Sequence, residues 1–301
     1  MCYHKNMLIL EKIQSEPFSD SQQSVINFIL EDPPRIENMT IREIARASYT
    51  SNATLIRIAH RLGFEGWEDF KTAFLEEHAY TQTHFTDVDP NIPFVKGESI
   101  TRIAHKIADL KKEALDDTLQ LLDDRDLQKA VDILVNAKQI QVIGMMNNKL
   151  QADSFALKCS RIRKPTRSRN PQGEIRYDYS LEEPGTAVIL ISYTGETTSL
   201  VWAAEDAVRA GNPVIAITSI GDNTLTSLAT VSLRTCTREK LYSKISWYTS
   251  EASINLILDI LYSGIFEAGY DKNMEAKFSK AEQIERGRIA PSGIISEKET
   301  H

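Results

Sequence analysis

The chain has 301 residues, of which 42 % are apolar and 26 % are charged. This length and composition are typical of a folded protein with two domains, and they exclude a disordered or collagen-like chain. The net charge of −7 gives no protein-wide attraction to nucleic acid or to anionic membranes, so DNA binding would need a local basic surface.

Three widely separated cysteines, Cys2, Cys159 and Cys236, form no CxxC pair. Their number and spacing support neither a disulfide framework nor a zinc ribbon, and the histidines show no paired metal-binding spacing such as HExxH. The apolar runs are far too short to cross a membrane. We therefore expect a cytoplasmic protein that holds no metal and no cofactor.

The first 80 residues have the periodicity of short helices. Apolar residues recur at i, i+3 and i+4 in three stretches, the first stopping at Pro33-Pro34 and the last at Gly63. A segment over residues 80–98 follows that is rich in turn formers and has no sustained repeat. These features predict an all-α head, residues 1–80, followed by a linker.

Residues 40–64 of the head are predicted to form a helix-turn-helix. Thr40 and Glu43 have the capping-box spacing of one helix, and Ser51 is suited to cap a second, with room only for a tight turn between them. The segment holds four arginines and one glutamate, a local charge of +3 in an acidic chain. The second helix would present these residues outward: Asn52, Ala53, Ile56, Arg57, His60 and Arg61.

This local charge favours DNA binding over the alternative, a helical hairpin whose arginines are merely solvated. Arginine near the start of a recognition helix can read guanine and asparagine can read adenine, while hydroxyls position phosphates. The candidate DNA-contact residues are Ser51, Asn52, Thr54, Arg57 and Arg61.

The same segment resembles the N-terminal domain of the RpiR family of bacterial transcription regulators, over about residues 20–78. The resemblance rests on TIREIA from Thr40, SNATLIR from Ser51, LGFEG from Leu62, and Phe70-Lys71. Tyr49 stands where the family often has glycine, and Thr50 where it often has valine. Because glycine tolerates a positive φ far better than tyrosine does, the first departure bears on the backbone of the turn.

Behind the linker, the helical repeat from Ile100 to about Ala137 predicts one long helical region. Short apolar runs then alternate with helix-length amphipathic segments, which predicts a doubly wound parallel sheet with crossover helices. The predicted strands are 140–143, 187–191, 214–217 and, more weakly, 231–233. The polar, charged residues after Lys272 predict a loosely packed extension.

Hydroxyl side chains and one glycine crowd the loop 192–198, which follows the second of these strands and precedes a predicted helix. Ligands of doubly wound sheets bind at the carboxyl ends of the strands, where a helix N-terminus supplies free N–H groups. The loop is therefore predicted to bind an anion. The alternative is an ordinary polar turn that caps a helix.

The loop is similar to the Ser-x-Ser-Gly-x-Thr phosphate loop of the sugar isomerase (SIS) domain, over about residues 125–265. The resemblance implies a flavodoxin-like domain that binds a phosphorylated sugar. It also implies that the phosphate is held by Ser192, Thr194, Gly195 and Thr197, with Thr194 in the place of the second serine.

The loop after the first strand departs from the family pattern Gly-x-Gly-x-Ser, because this chain has Gly144 followed by Met-Met-Asn-Asn. We expect Met146 to narrow the approach to the sugar, and Asn148 to hydrogen-bond a ligand from the serine position. Glu251 stands where the regulators often have arginine, and it is a second candidate sugar contact.

Two further features each allow two interpretations. The basic run from Lys158 to Arg169 is expected to be a solvated helix end, with an anion or partner site as the alternative. Glu239 and Glu251 could act as general bases of an isomerase, with a structural or solubilising role as the alternative.

The sequence therefore predicts a non-enzymatic transcription regulator whose binding to double-stranded operator DNA is controlled by a phosphorylated sugar effector, acting as a homodimer or homotetramer. The predicted parts are a helix-turn-helix head (1–80), a linker and connecting helix (81–124), an SIS body (125–270) and a polar extension (271–301). The alternatives are a phosphosugar isomerase or deglycase with an accessory head, and a noncatalytic regulator that binds a protein partner.

Overall fold

The computed structural model describes residues 16–82, 88–169 and 183–286, together with residues 9, 12, 13 and 181. Residues 83–87 of the predicted linker and residues 287–301 of the predicted extension lie outside the described part. The head is all-α, as predicted. Its helices are α1 (Asp20–Glu31), a 3₁₀ turn (Pro33–Ile36), α2 (Ile41–Ala47), α3 (Asn52–Arg61) and α4 (Trp67–Gln82).

The two helices of the predicted helix-turn-helix begin where their caps require. Thr40 and Glu43 form a complete capping box at the start of α2, and the Ser51 hydroxyl accepts the Thr54 N–H at the start of α3. Ile44, Leu55 and Ile58 are fully buried between the helices. The outward face of α3 is exposed apart from Asn52, which is half-buried, so the predicted orientation of this helix is confirmed.

Aromatic side chains close the head core from the α4 side. Phe70 is fully buried and contacts Phe64 edge-on and Phe74 face-on, with ring centroids 5.5 and 5.7 Å apart. Offset and edge-on pairs of this kind add about 0.5–1.5 kcal/mol beyond the burial of their area. The head therefore has a hydrophobic core of its own.

The single helical region predicted over residues 100–137 is two helices, α5 (Ile100–Leu121) and α6 (Asp124–Asn136). Leu122 is extended at the break, and the Asp123 carboxylate caps α6 by accepting the N–H groups of Arg125 and Asp126. The apolar repeat continues across this break, so the hydrophobic pattern does not reveal where the first helix ends. The sequence feature that indicates the break is the N-cap residue Asp123.

Five parallel strands form one sheet in the order β2-β1-β3-β4-β5, which is the flavodoxin-like order. All four predicted strands are confirmed. The fifth, β2, corrects the expectation that the basic run ends as a solvated helix end, since only its first part is helical. The strands are β1 (Gln139–Gly144), β2 (Thr166–Arg169), β3 (Thr186–Ile191), β4 (Val214–Thr218) and β5 (Val231–Arg234).

Helices cover both faces of the sheet, as a doubly wound fold requires. On one face α6 packs with two long helices, α7 (Asn147–Arg161) and α10 (Tyr248–Glu267), whose buried side chains include Phe155, Cys159 and Ile257. On the other face lie two shorter helices, α8 (Thr198–Arg209) and α9 (Thr224–Leu228), which bury Leu200 and Leu225.

The predicted polar extension begins as a helix, α11 (Tyr270–Glu285), and not as an irregular segment. Its buried side chain is Asn273, whose amide donates to the carbonyl oxygens of Ile265 and Phe266 at the end of α10. No single described helix is long and apolar enough to cross a membrane. Only α10 and α11 together, bent by 104° at their junction, pass a test of length and composition.

Candidate functional site

The strand order changes direction between β1 and β3, and the loops that follow these two strands lie side by side. Gly144 at the end of β1 is in register with Ile191 at the end of β3. Asn148, in the first turn of α7, donates from Nδ2 to the Ile191 carbonyl oxygen at 3.4 Å. The structure therefore brings Asn148 to the start of the loop 192–197, at the edge of the sheet where ligands of this fold bind.

The loop 192–197 is held by its own hydroxyl groups. Ser192 is buried, and its Oγ lies 3.0 Å from Thr197 Oγ1 while it accepts the Gly195 N–H at 3.2 Å. Thr194 Oγ1 accepts the Glu196 N–H at 3.2 Å. These bonds fix the loop before any ligand arrives, which lowers the cost of ordering it on binding.

Gly195 is required by its neighbour as well as by its backbone. Its φ is +67°, and a Cβ at this position would lie 2.0 Å from Asn223 Oδ1. Glu196 ties the same loop to the start of α9 by accepting the N–H and the hydroxyl of Thr224 at 2.8 and 2.7 Å. The space that a side chain at position 195 would need is thus occupied by the side chain of Asn223.

The helices that follow β1 and β3 both begin without a side-chain cap. Thr197 at the start of α8 and Met146 at the start of α7 accept no backbone N–H with their side chains. The backbone itself satisfies part of each end, since the N–H groups of Asn148 and Lys149 donate to the carbonyl oxygens of Met145 and Met146, and that of Leu200 donates to Thr197. The N–H groups of Asn147, Thr198 and Ser199 have no such bond within the described chain, so they and the positive dipole ends of the two helices are available to the crevice. This arrangement is suited to a phosphate or another anion.

Met146, which was expected to narrow the approach to the sugar, lies mostly in solvent. The Met146 side chain is 75 % exposed, and its backbone has φ 51°, the conformation that favours glycine. Its neighbour Met145 packs against the sheet, and its sulfur accepts the Ser199 hydroxyl at 3.1 Å. Met145 therefore joins the loop after β1 to the first turn of α8.

Glu239 has a structural role in the described molecule. Its two carboxylate oxygens accept five hydrogen bonds, from the N–H groups of Thr249 and Ser250, both of their hydroxyls, and Lys244 Nζ. The carboxylate thereby caps the N-terminus of α10 and pairs with a buried ammonium. Glu251 directly follows Ser250 in the first turn of α10 and is half-buried, and no hydrogen bond within the described chain joins it to the loop 192–197.

A chain of hydrogen bonds runs from this loop towards the linker. The Tyr193 hydroxyl donates to the Glu239 carbonyl oxygen at 3.0 Å and accepts the Glu239 N–H at 3.1 Å. The next N–H, of Lys240, donates to Asn91 Oδ1 at 2.7 Å, and the Ile245 N–H donates to the Asn91 carbonyl oxygen at 2.9 Å. Burial, and the nearby Glu239 carboxylate, raise the pKa of Tyr193, so its hydroxyl keeps its proton.

The residue before Glu239 joins the same segment to α5. Arg238 pairs with Asp117 at 2.6 Å and with Glu113 at 2.8 Å, and both acids lie on α5. Burial works against the charged guanidinium, but the two carboxylates outweigh it and raise the pKa of Arg238. Breaking such a buried pair by removing one partner typically costs 3–5 kcal/mol.

The basic run from Lys158 to Arg169 is divided among several structural roles. Lys158 pairs with Asp259 on α10. Lys164 donates to the carbonyl oxygens of Val135 and Ala137 at the end of α6, and its partial burial lowers the pKa of its ammonium. An open groove of about 350 Å³ lies at the end of α7, lined by Lys158, Arg161, Asp259, Tyr262, Ser263 and Lys277. Among the described residues no cluster of side chains is arranged to hold a metal ion.

The candidate DNA-contact residues of the head differ in how far their side chains are already engaged by other residues. Thr54 is buried, and its hydroxyl lies 3.1 Å from that of Ser51, so both side chains stabilise the start of α3. Arg57 is exposed and folds back on its own helix, with Nε donating to the Ala53 carbonyl oxygen at 3.2 Å. Arg61 pairs with Glu16 at 3.1 Å and lies over the Phe18 ring. Arg57 is thus the less constrained of the two arginines.

Several residues that shape these sites were not found from the sequence. Asn91, Arg238 and Tyr193 act through partners that are distant in the chain, and no local pattern marks them. Asn223 forms a capping box with Thr226 at the start of α9, a local pattern that could have been recognised, whereas its contact with Gly195 depends on the fold. Glu239 was noted as a possible base, but its position nine residues before α10 gave no sign of a capping role.

Comparison with known proteins matches one domain model to the head and another to the body. Residues 7–81 match the model of the helix-turn-helix domain, rpiR family, and residues 133–258 match that of the SIS domain. An uncharacterized HTH-type transcriptional regulator of Caldanaerobacter subterraneus subsp. tengcongensis is 27 % identical over 267 residues, covering 88 % of this chain and 92 % of its own.

Two solved structures are also similar. The Vibrio vulnificus NanR protein complexed with ManNAc-6P is 25 % identical with a TM-score of 0.56, over 92 % of this chain and 97 % of that one. The sugar isomerase domain of an RpiR transcription factor from Sphaerobacter thermophilus is 17 % identical with a TM-score of 0.53, over 60 % and 99 %, and shows the fold alone. With both of its domains matched in this order, the chain belongs to the RpiR family of helix-turn-helix regulators that carry an SIS domain.

Proposed function

We propose that the protein is a transcription regulator that binds operator DNA with its head and a phosphorylated sugar with its body. The observation that carries the effector site is the pair of uncapped helix N-termini, of α7 and α8, at the carboxyl ends of β1 and β3. The similarity to NanR, which is complexed with ManNAc-6P, supports a sugar phosphate as the ligand.

Within this site, the phosphate is assigned to the loop 192–197 and to the N–H groups at the start of α8. Ser192 and Thr197 hold the loop and present hydroxyl oxygens, while Thr194 stands at its rim. Gly195 contributes mainly by letting Asn223 pack beneath the loop. Asn148 is assigned to the sugar, and Glu251 is retained as a weaker candidate.

DNA binding is assigned to the exposed face of α3, with Arg57 as the principal base-reading residue and the start of α3 near the phosphates. Asn52 is the second candidate for a base contact. Arg61 is given a smaller role because Glu16 and Phe18 already hold it. The assigned parts remain a head of residues 1–80, a connection of 81–124, a body of 125–270 and an extension of 271–301, acting as a dimer or tetramer in the cytoplasm.

An effector changes DNA binding only if it has different affinities for two arrangements of the protein. The hydrogen-bonded chain from Tyr193 through Glu239 and Lys240 to Asn91 is the route we assign to this coupling. It joins the effector loop directly to the segment that leads to the head. The saturated carboxylate of Glu239 favours this regulatory role over an isomerase, since it has no free oxygen to take a proton from a sugar.

A thermal-shift screen of sugar phosphates on the full chain tests the proposal first. A ligand at a hundred times its dissociation constant stabilises the folded state by about 2.7 kcal/mol. We expect at least one hexose or amino-hexose phosphate to raise the melting temperature, and the corresponding unphosphorylated sugar to have no effect. Turnover of that sugar phosphate by the protein would contradict a non-enzymatic role.

A further inference from the structure

The turn between α2 and α3 is closed by a pattern that occurs at four helix ends in the part of the chain that the structure describes. In each, the N–H of one residue donates to the carbonyl oxygen of the residue three positions earlier, and the next N–H donates to the carbonyl oxygen five positions earlier. This pair of hydrogen bonds is the Schellman motif. At the end of α2 these bonds are Tyr49 N to Arg46 O at 3.2 Å and Thr50 N to Ala45 O at 2.8 Å. The motif requires a positive φ at its first donor.

The four ends differ in the residue that takes this conformation. The ends of α3 and α8 use glycine, Gly63 with φ 94° and Gly211 with φ 74°. The end of α7 uses Arg163 with φ 57°, and its positive charge is favourable beside the negative end of the helix dipole. The end of α2 uses Tyr49 with φ 56°. Tyrosine brings neither the freedom of glycine nor the charge of arginine.

Two backbone hydrogen bonds hold Tyr49 in this conformation, but its side chain adds nothing to the packing of the head. Its side chain is 96 % exposed, so it buries almost no apolar area and contributes no packing to the head. A strained residue of this kind is retained where it serves a function. The exposed ring of Tyr49 is therefore available for contact with a molecule outside the chain.

Tyr49 lies in the part of a helix-turn-helix that comes nearest to the DNA backbone. The turn precedes Ser51 and Asn52 at the start of α3, and it follows Arg46, which is exposed in the last turn of α2. When a helix-turn-helix binds, its first helix crosses the DNA backbone and the start of its second enters the major groove. A side chain projecting from the turn between them faces the sugar–phosphate backbone.

We propose that Tyr49 is a DNA-contact residue whose ring lies against the sugar–phosphate backbone and whose hydroxyl donates to a phosphate oxygen. Tyrosine is one of the side chains that make such contacts in protein–DNA complexes. The contact positions α3 without reading sequence. This inference rests on the proposed DNA binding by the head and adds a residue that neither the charge nor the helix pattern identifies.

The test compares Tyr49→Gly with Arg163→Gly in the full chain, because both changes place glycine in the same motif. We expect each variant to melt a few degrees higher than the wild type, since glycine relieves the strain. Only Tyr49→Gly should weaken DNA binding, by about tenfold, which corresponds to one lost contact to a charged group. The probes are a duplex selected by the wild type from a random pool and a duplex of scrambled sequence.

Tyr49→Phe, which keeps the backbone and the ring, should lose about threefold to tenfold in affinity on both duplexes alike. Because tyrosine carries no charge, the salt dependence of binding should stay as in the wild type. Wild-type affinity in Tyr49→Gly or in Tyr49→Phe would overturn the contact, as would an equal loss in Arg163→Gly. Failure of the wild type to bind either duplex would instead overturn the proposed DNA binding itself.

Discussion

The head and the body each place hydroxyl side chains at the start of a helix, but they use them differently. In the head, Ser51 Oγ accepts the Thr54 N–H and satisfies the start of α3 itself. In the body, Ser192 and Thr197 bond to each other, and the N-terminus of α8 has no side-chain cap. The hydroxyls of the two turns therefore differ in what they leave open, since the N-terminus of α8 keeps N–H groups that no side chain satisfies.

A second difference concerns charge. In the proposed function the head binds DNA through separate exposed arginines, of which Arg57 has hydrogen bonds to Ala53 and Thr54 of its own helix. The loop 192–197 proposed for the phosphate contains no arginine or lysine, and its hydroxyls and N–H groups are already held in place. We expect DNA binding to depend strongly on salt and effector binding to depend on it much less.

The largest effect is expected from replacing Ser192 and Thr197 together by alanine. The double variant loses two hydroxyls of the loop, each worth on the order of 1.5–3 kcal/mol if it bonds a phosphate. Affinity for the sugar phosphate that stabilises the wild type should fall by a hundredfold or more in calorimetric titration. Ser227→Ala, which removes an exposed hydroxyl from nearby α9, is the matched control and should bind normally.

Gly195→Ala should be the most destabilising glycine substitution in this part of the body. The new Cβ would be strained at φ +67° and would clash with Asn223, which predicts a loss of about 2–4 kcal/mol in the free energy of unfolding. Gly221→Ala has a similar backbone strain, at φ +89°, but nothing within 4 Å of the new Cβ, so its loss should be about 1 kcal/mol. Equal losses in chemical denaturation would show that Asn223 does not fix the loop.

Arg57→Ala should weaken operator binding by about 1–3 kcal/mol and relax the preference at one base pair. Arg61→Ala should change DNA affinity less, because its guanidinium is already engaged by Glu16 and Phe18. Binding measured on a set of single-base operator variants separates the two. A uniform loss in Arg57→Ala across all sequences would move this residue to phosphate positioning.

Asn91→Ala should leave DNA affinity and effector affinity close to wild type when each is measured alone. The effect of the sugar phosphate on DNA affinity should shrink, by about 0.5–2 kcal/mol of coupling, because the bonds to Lys240 and Ile245 are weakened. Asn136→Ala, at an exposed amide that bonds within α6, is the control. Full effector response in Asn91→Ala would remove this residue from the coupling route.

The features predicted correctly from the sequence are those with a local cause. The caps at Thr40 and Ser51 depend on neighbours three residues away, and the strands at 187–191 and 214–217 are continuous apolar runs because both of their faces are covered. Strand β2 was missed because Thr166–Arg169 is a short edge strand of polar and charged residues. An edge strand buries less and so lacks the apolar signature.

The contacts that define the effector site are less accessible to sequence reasoning. Tyr193 and Glu239 are 46 residues apart, and Asn91 and Lys240 are 149 apart. Only the fold brings them together. The same is true of Gly195, whose need for glycine comes partly from Asn223 and partly from its own φ. The position of the loop was predictable, whereas the reasons for its individual residues were not.

The central claim, that the body controls DNA binding by the head, is tested most directly by the affinity of the full chain for its selected duplex with and without sugar phosphates. A panel of hexose and amino-hexose phosphates that includes ManNAc-6P is the appropriate probe. We predict that at least one of them changes DNA affinity by about 5–150-fold in the wild type and has no effect on the Ser192→Ala, Thr197→Ala double variant. The same response in both proteins, or DNA affinity that no member of the panel changes, would contradict the account.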